Sequence, residues 1–280
     1  MTGAPRGSLC VVIPHYSRAD LLVEAVAAVR GWPVVVVDDS PAGLSERPGG
    51  APGLGGAQVV RAGGGSGFAR AANRGLAVAE EGGFRWVLLL NDDAAPEAGC
   101  LEALLDAVSG EPGEAGEAGQ PVRAAGPVLL GPIGVESAGI RYSERTGRLR
   151  QRTAAPDGVM DVDALSGACL LMPASARFDE GYTHGFEDVA LALALRRAGG
   201  RVVIVPAARC RHIGGATLDR RSRAAARAAV QGHLRLVGRS RIRRAAVVGY
   251  ALAQVARERG PAGRLLGIWE GWRMGRRVRE

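Results

Sequence analysis

Two apolar runs in this sequence stop on acids. "PVVVVDDS" ends on Asp38 and Asp39, and "WVLLLNDDAAPE", residues 86–97, runs straight into Asn91, Asp92 and Asp93. Carboxylates brought close together repel one another unless hydrogen-bond donors or a cation share the site, and oxygen ligands of this kind suit a divalent metal. The competing interpretation is local: Asp is favoured at helix N-caps and in turns, so each acid can simply close its strand and begin the next turn or helix. Two other places carry the same ambiguity. Glu187 and Asp188 begin a helical run, where the dipole favours acids, yet a carboxylate there is also a candidate proton acceptor. His212 follows an apolar run and is either a ligand or a structural histidine, while His15, His184 and His233 taken alone read as structural or exposed.

The elements that must carry these residues can be read from periodicity. "LCVVIP" is a compact strand, and Leu21, Leu22, Ala25, Val26 and Val29 recur at helical spacing behind Ser17 as candidate N-cap. "PVVVVDDS" and "AQVVRA" are further strands, separated by a loop dense in Gly and Pro. A helix is expected over about 67–81, a fourth strand over "FRWVLLL", and a helix from about Pro96 to Val108. Near-continuous apolar strands alternating with helices define the α/β class, with a mostly parallel sheet covered on both faces. "GEPGEAGEAGQP", residues 110–121, is a polar low-complexity loop or linker. After it come the strand-like pieces "AAGPVLLG", "GVESAGIRY" and "DALSGACLLMP", a helix from about Phe186 to Ala198, the strand "RVVIVP" and a basic helical tail. The expected organisation is one domain in two parts, 1–110 and 111–220, with 221–280 as a helical C-terminal extension. Ligands of open α/β sheets bind beyond the carboxyl ends of the strands, so both acid clusters fall on one functional edge.

A chain of 280 residues that is 47% hydrophobic can bury a substantial core, and its Gly 42 and Pro 15 imply long loops. The net charge of +8 comes entirely from arginine, because the sequence has no lysine. Arginines are densest after Arg209, where phosphate-bearing ligands or anionic membrane surfaces are natural partners; nucleic acid is not expected. Cys10, Cys100, Cys169 and Cys210 lie far apart with no C-x-x-C pair, which suits a reduced, cytoplasmic protein. The opening "MTGAPRGSLCVVIPHY" lacks the features of an export signal, and no apolar segment reaches the ~20 residues of a spanning helix. In the tail, Leu265, Ile268, Trp269 and Trp272 fall on one helical face beside Arg264, Arg273, Arg276 and Arg277. That face suits peripheral attachment at the inner side of the membrane, or packing on the catalytic domain or on a second subunit as a homodimer.

Taken in order, these motifs resemble those of bacterial family-two glycosyltransferases with the GT-A fold, a Rossmann-like mostly parallel sheet, and especially the rhamnosyltransferase-like branch. The resemblance covers roughly residues 9–215. "VVIPHYSRADLL" is similar to the family's opening strand and turn, which implies that Pro14, His15 and Tyr16 border a nucleotide-sugar donor, although His15 and Ser17 depart from the usual threonine and asparagine. "VVVVDDS" is similar to its nucleotide-binding strand end, implying that Asp38 or Asp39 contacts the base or ribose. "GSGFARAANRGL" resembles the branch's signature, with Gly65 where asparagine is usual, and implies that Asn73 lies near the nucleotide or sugar. "LLLNDDA" is similar to its metal motif, with Asn91 and Asp92 toward the donor and Asp93 as a ligand, and "CRHIGGAT" implies His212 as the other. "SGACLLMP" with "FDEGYTHGFEDVALALALRRAG" resembles the acceptor-side block, in which Asp188 is the general base; Ala190 stands where another acid is common.

The resemblance implies transfer of a sugar from a dTDP- or UDP-linked donor to an unknown acceptor hydroxyl, with inversion, helped by Mn²⁺ or Mg²⁺. On it, 1–110 is the nucleotide-sugar-binding part and 111–220 the acceptor side. A non-catalytic nucleotide-sugar-binding protein is the alternative suggested by the departures. The glycine cluster "GGGSGFARAANRG" also suggests a dinucleotide-dependent oxidoreductase, but Gly65, Gly67 and Arg70 fail the third glycine of G-x-G-x-x-G and come after the third strand.

Overall fold

The computed structural model describes residues 8–44, 53–109, 120–182, 184–214, 222–255 and 262–276. Most of the low-complexity run at 110–121, the residues after Gly214 in the histidine motif, Arg277 and the side chain of Arg276 lie outside them. The order is β1 (Leu9–His15), α1 (Ala19–Ala28), β2 (Val34–Asp38), β3 (Gln58–Arg61), α2 (Phe68–Glu81), β4 (Trp86–Leu90), β5 (Ala94–Pro96) and α3 (Cys100–Ser109). It continues β6 (Val122–Gly131), β7 (Gly134–Ser137), β8 (Ile140–Tyr142), β9 (Leu149–Gln151), β10 (Met160–Asp161), β11 (Cys169–Pro173), α4 (Glu187–Arg197), β12 (Arg201–His212), α5 (Arg223–Leu236), α6 (Arg241–Val255) and α7 (Ala262–Arg276).

The main sheet runs β10-β12-β6-β11-β4-β1-β2-β3, with β5 added on β12 and β7 on β6. Strands β4, β1, β2 and β3 are mutually parallel, as are β6 and β12, whereas β11 lies antiparallel between the two groups. One sheet therefore carries strands from both halves of the chain. All seven residues of β1 are buried, and they alternate between two cores: Cys10 and Val12 face α2, while Val11 and Ile13 face α1 and α3. Each such Val, Leu or Ile contributes about 1.5–3 kcal/mol by leaving water, so a run of them stays in the sheet centre without help from β propensity.

Three details depart from the sequence reading. The N-cap of α1 is Arg18, with no side-chain cap bond, rather than Ser17. Pro96 ends a short strand instead of starting a helix, because residues 94–96 pair with Cys210–His212 and the helix begins only at Cys100. The strand that starts as "RVVIVP" continues to His212 by shifting register between Val205 and Arg209, which carries the histidine to the same edge as the acids. On α2, Gly75 lets the helix sit against the sheet: a Cβ there would lie 2.3 Å from Val12 and 2.8 Å from Val37. Beyond the sheet, α5, α6 and α7 form a third core from Val230, Leu234, Val247, Val255 and Ile268. No helix among the described residues is long and apolar enough to cross a membrane.

Candidate active site

The carboxyl ends of β1, β2 and β4 open into a cavity of about 700 Å³. It is lined by Pro14 and His15 at the end of β1 and Tyr16 after it, Asp39 after β2, Asn91, Asp92 and Asp93 after β4, and His212 at the end of β12. The two acids of β2 separate. Asp38 turns into the protein, where its carboxylate accepts from Ser40, from the Leu44 N–H at 2.7 Å and from Arg61 Nη1 at 2.8 Å. Burial opposes its charge, but those donors outweigh it and hold the pKa below the usual aspartate range. Asp39 is the acid at the cavity. Its carboxylate accepts from the Ser66 and Gly67 N–H groups at 2.9 and 3.0 Å, so the glycine loop, with Gly63, Gly64, Gly65 and Gly67 all at positive φ, directs these amides at a carboxylate.

Asp93 and His212 meet because β5 and β12 pair, with His212 opposite Ala94. His212 Nε2 lies 3.3 Å from Asp93 Oδ1, and its Nδ1 lies 2.8 Å from Oε2 of Glu136 on β7. Burial alone would lower the His212 pKa, but the bonds and charges of Asp93 and Glu136 prevail and push it up to about 10. A cation is thus favoured between these acids. As an imidazolium His212 donates from both ring nitrogens, to Asp93 and to Glu136; with Glu136 keeping the Nδ1 proton, a divalent ion would take the place of the Nε2 proton, the arrangement by which a carboxylate orients a ligating histidine. The pair therefore fits a divalent ion. Among the described residues no three His, Cys, Asp or Glu side chains form a ready-made cage, so such an ion would complete its shell with water or ligand oxygens. Glu136 sits in no recognisable motif, and only the antiparallel pairing of β7 with β6 brings it here.

His15 lines the cavity from the end of β1. Its Nδ1 lies 2.7 Å from Asp92 Oδ2; the ionised carboxylate only accepts, so Nδ1 must donate. Nε2 is buried and has no hydrogen-bond partner among the described residues, and the same holds for Oδ1 of Asn91. An unmet buried polar atom costs about 1–3 kcal/mol, and both belong to residues that line the cavity.

Asp188 stands behind the cavity wall. Oδ2 accepts from the Gly167 N–H at 2.8 Å and Oδ1 from the Val189 N–H at 2.7 Å, and a Cβ placed on Gly167 would touch both Asp188 and the cavity-lining ring of Phe68. Burial raises its pKa in spite of those bonds, and it raises that of the adjacent Glu187 to about 8. Phe186, the N-cap of α4, takes a left-handed φ of 74°, a conformation that costs ~1–3 kcal/mol and is held by stacking on His233 at 5.1 Å and by contact with Gly232. Asn73 does not reach the cavity. Its amide donates to the Phe178 carbonyl and Glu180 and accepts from the Phe178 N–H at 2.7 Å, so it clasps the segment whose Phe178 packs edge-on against Phe68. The tail packs on the domain at the site, the second of the expected alternatives: Arg264 lines the cavity together with Ala225, Ala226 and Ala229.

A mixed, mostly parallel sheet flanked by helices, with acids gathered at its strand ends, is the GT-A architecture of sugar-transferring enzymes. The profile of the glycosyltransferase-like family 2 matches residues 9–231, and the chain belongs to that family. Among solved structures it is similar to GalNAc-T7 in a crystal structure with UDP, GalNAc and Mn²⁺, at TM-score 0.61 and 14% sequence identity over 91% of this chain. It spans only 52% of that chain. A weaker likeness, at TM-score 0.40 and 10% identity, covers 73% of this chain and 85% of A197 from STIV. No curated protein matches in sequence.

Proposed function

We propose that this chain is an inverting, metal-dependent glycosyltransferase that moves a sugar from a nucleoside-diphosphate donor to an acceptor hydroxyl. The observation that carries this reading is the meeting of Asp93, His212 and Glu136 at one end of a cavity that is also lined by His15, Tyr16, Asp39, Asn91 and Asp92 beyond the strand ends. Asp93 and His212 would hold a Mn²⁺ or Mg²⁺ ion, which when bound would supply Lewis-acid stabilisation of the departing diphosphate. Asp39 and Tyr16 border the nucleoside, and Asp92 fixes His15 against it. Asp188 accepts the proton of the acceptor hydroxyl, a role served by its raised pKa. Among the described residues the other carboxylates of the cavity are engaged by the loop amides (Asp39), His15 (Asp92) and His212 (Asp93), which leaves one base and supports inversion. The resemblance to the rhamnosyltransferase-like branch favours dTDP-rhamnose over UDP-hexoses, and the fold neighbour crystallised with UDP and Mn²⁺ gives the first probes.

The exposed face of α7 supports a peripheral contact with an anionic membrane from the cytoplasmic side: Leu265 is 42% and Trp269 49% exposed, and Trp272 lies beside them. Ile268 is excluded from that face, being only 4% exposed in the core between α5, α6 and α7.

The central test sets Asp93→Asn against Asp188→Asn. Asp93→Asn loses a charged ligand, so nucleoside-diphosphate affinity falls and raised Mn²⁺ recovers part of the activity. Asp188→Asn keeps diphosphate affinity while turnover drops by roughly 10²–10⁴-fold with no rescue by metal. Calorimetric titration alongside transfer rates reads both. Loss of nucleotide binding in Asp188→Asn, with Asp93→Asn unaffected, would reverse the assignment.

A further inference from the structure

The cavity is roofed by α5, through Ala225, Ala226 and Ala229, and by α7, through Arg264. Of these two helices α7 lies wholly outside the family match, which ends at residue 231. The two helices are locked together with little freedom to slide. Gly267, Gly271 and Gly275 repeat every fourth residue along α7, and a Cβ on them would meet the Arg223 carbonyl at 2.3 Å, the Arg227 carbonyl at 2.5 Å and Leu234 at 2.9 Å. Arg223 pairs with Glu270 across the contact, and Arg244 Nη2 donates to the Gly275 carbonyl at 2.9 Å. Rotation of α7 is thereby fixed, and with it the direction in which Arg264 leaves the helix.

Arg264 is the one arginine among the described residues that line this cavity. We infer that Arg264 is the donor-diphosphate contact supplied by the C-terminal extension, so that the extension completes the active site. This inference rests on the nucleotide-sugar reading above. A nucleoside diphosphate carries about three negative charges near neutral pH, and one divalent ion offsets two of them. The planar guanidinium adds a full positive charge and a fork of donors that matches two phosphate oxygens at once, which a point charge does not. In the transfer the acceptor oxygen bonds to the anomeric carbon as the bond from that carbon to the phosphate oxygen breaks. The bonding pair leaves with the diphosphate, the hydroxyl proton passes to Asp188, and Arg264 stabilises the charge that develops on the leaving oxygen.

The test uses the full chain, with UDP and dTDP in the presence of Mn²⁺ titrated calorimetrically, and uridine and thymidine observed by ligand-detected NMR. Arg264→Gln is expected to weaken diphosphate binding by ~10–100-fold while nucleoside binding changes by less than about 3-fold, and to make the salt dependence of diphosphate binding shallower. Arg264→Lys should recover part of the loss, since it restores the charge and not the fork. Thermal unfolding of both variants checks that the helices remain docked. Diphosphate binding by Arg264→Gln at wild-type strength would overturn the inference alone, and equal losses for diphosphate and nucleoside would overturn it as well by assigning Arg264 a structural role. A wild-type chain that binds no nucleoside diphosphate would overturn the nucleotide-sugar reading together with it.

Discussion

Glu187 opens α4 as a buried carboxyl whose Oε2 has no partner among the described residues. Burial first, and the neighbouring Asp188 charge second, push its pKa from 4.5 up to about 8. The unfolded chain releases this proton near the ordinary value, so between these two points the folded state holds a proton that the unfolded state has lost. The contribution to stability is full below pH 4.5 and is lost as pH rises through 8. Glu187→Gln, neutral at every pH, should therefore gain on the wild type as pH rises, by on the order of a few kcal/mol, with each kcal/mol worth ~2–4 °C in Tm. Thermal unfolding of both chains at acid, neutral and alkaline pH measures the gap, and a gap that stays constant would mean that Glu187 titrates in the folded state as it does in the unfolded chain. Other single residues were legible to different degrees. Asp93 and His212 stood out because acids and a histidine at the ends of apolar runs are unusual, and the strand pairing does bring them together. Glu136 had no such signal, since a lone acid on a short hairpin strand looks like any solvated side chain until the hairpin's pairing with the sheet is known.

Strands that feed the site could be read almost to the residue, because a fully buried strand leaves a run of Val, Ile and Leu that ends where burial ends. Elements defined by nonlocal pairing could not: Pro96 joined a strand only because β12 extends far enough to meet it, and Arg18 took the cap position ahead of Ser17. The tail helices show the same limit. Their helical character is visible in the sequence, but the rotation of α7 is set by the glycine face that packs on α5, which draws Ile268 inward and turns Arg264 to the cavity. Substitution of these glycines tests that packing. Gly271→Ala places a Cβ 2.5 Å from the Arg227 carbonyl and 3.0 Å from Val230, so the helices must part, at a cost of about 1–3 kcal/mol. Gly249→Ala on α6 meets nothing within 4 Å and should stabilise by about 0.5–1 kcal/mol through helix propensity alone. Denaturant unfolding of the two variants should thus move in opposite directions, and a Gly271→Ala chain as stable as the wild type would mean that α5 and α7 are not in close contact.

On the scale of the whole molecule, α7 presents two faces with different partners. Through its glycine face it docks on α5 and delivers Arg264 to the cavity, while Leu265, Trp269 and Trp272 remain on the surface with Arg273 stacked 4.7 Å from the Trp269 ring centroid. The exposed face of α6 adds further apolar surface through Ile242 and Leu252. Aromatic side chains flanked by arginine gain most at the boundary between headgroups and acyl chains, and the net charge of +8 adds attraction to anionic lipid. Because the two faces point apart, membrane binding and donor binding should be separable by mutation. Trp269→Ser with Trp272→Ser removes apolar surface and leaves every arginine in place, so co-sedimentation with anionic phosphatidylserine vesicles should fall several-fold while UDP affinity stays within about 2-fold of wild type. Arg264→Gln should do the reverse, keeping vesicle binding and losing diphosphate affinity. Neutral phosphatidylcholine vesicles should recover less protein than anionic ones in every variant, since the arginine contribution depends on surface charge. If the tryptophan pair left vesicle binding unchanged, attachment through this face of α7 would be wrong, and if it lowered UDP affinity as much as Arg264→Gln does, the helix would be acting as one rigid support for the site with no separate outward role.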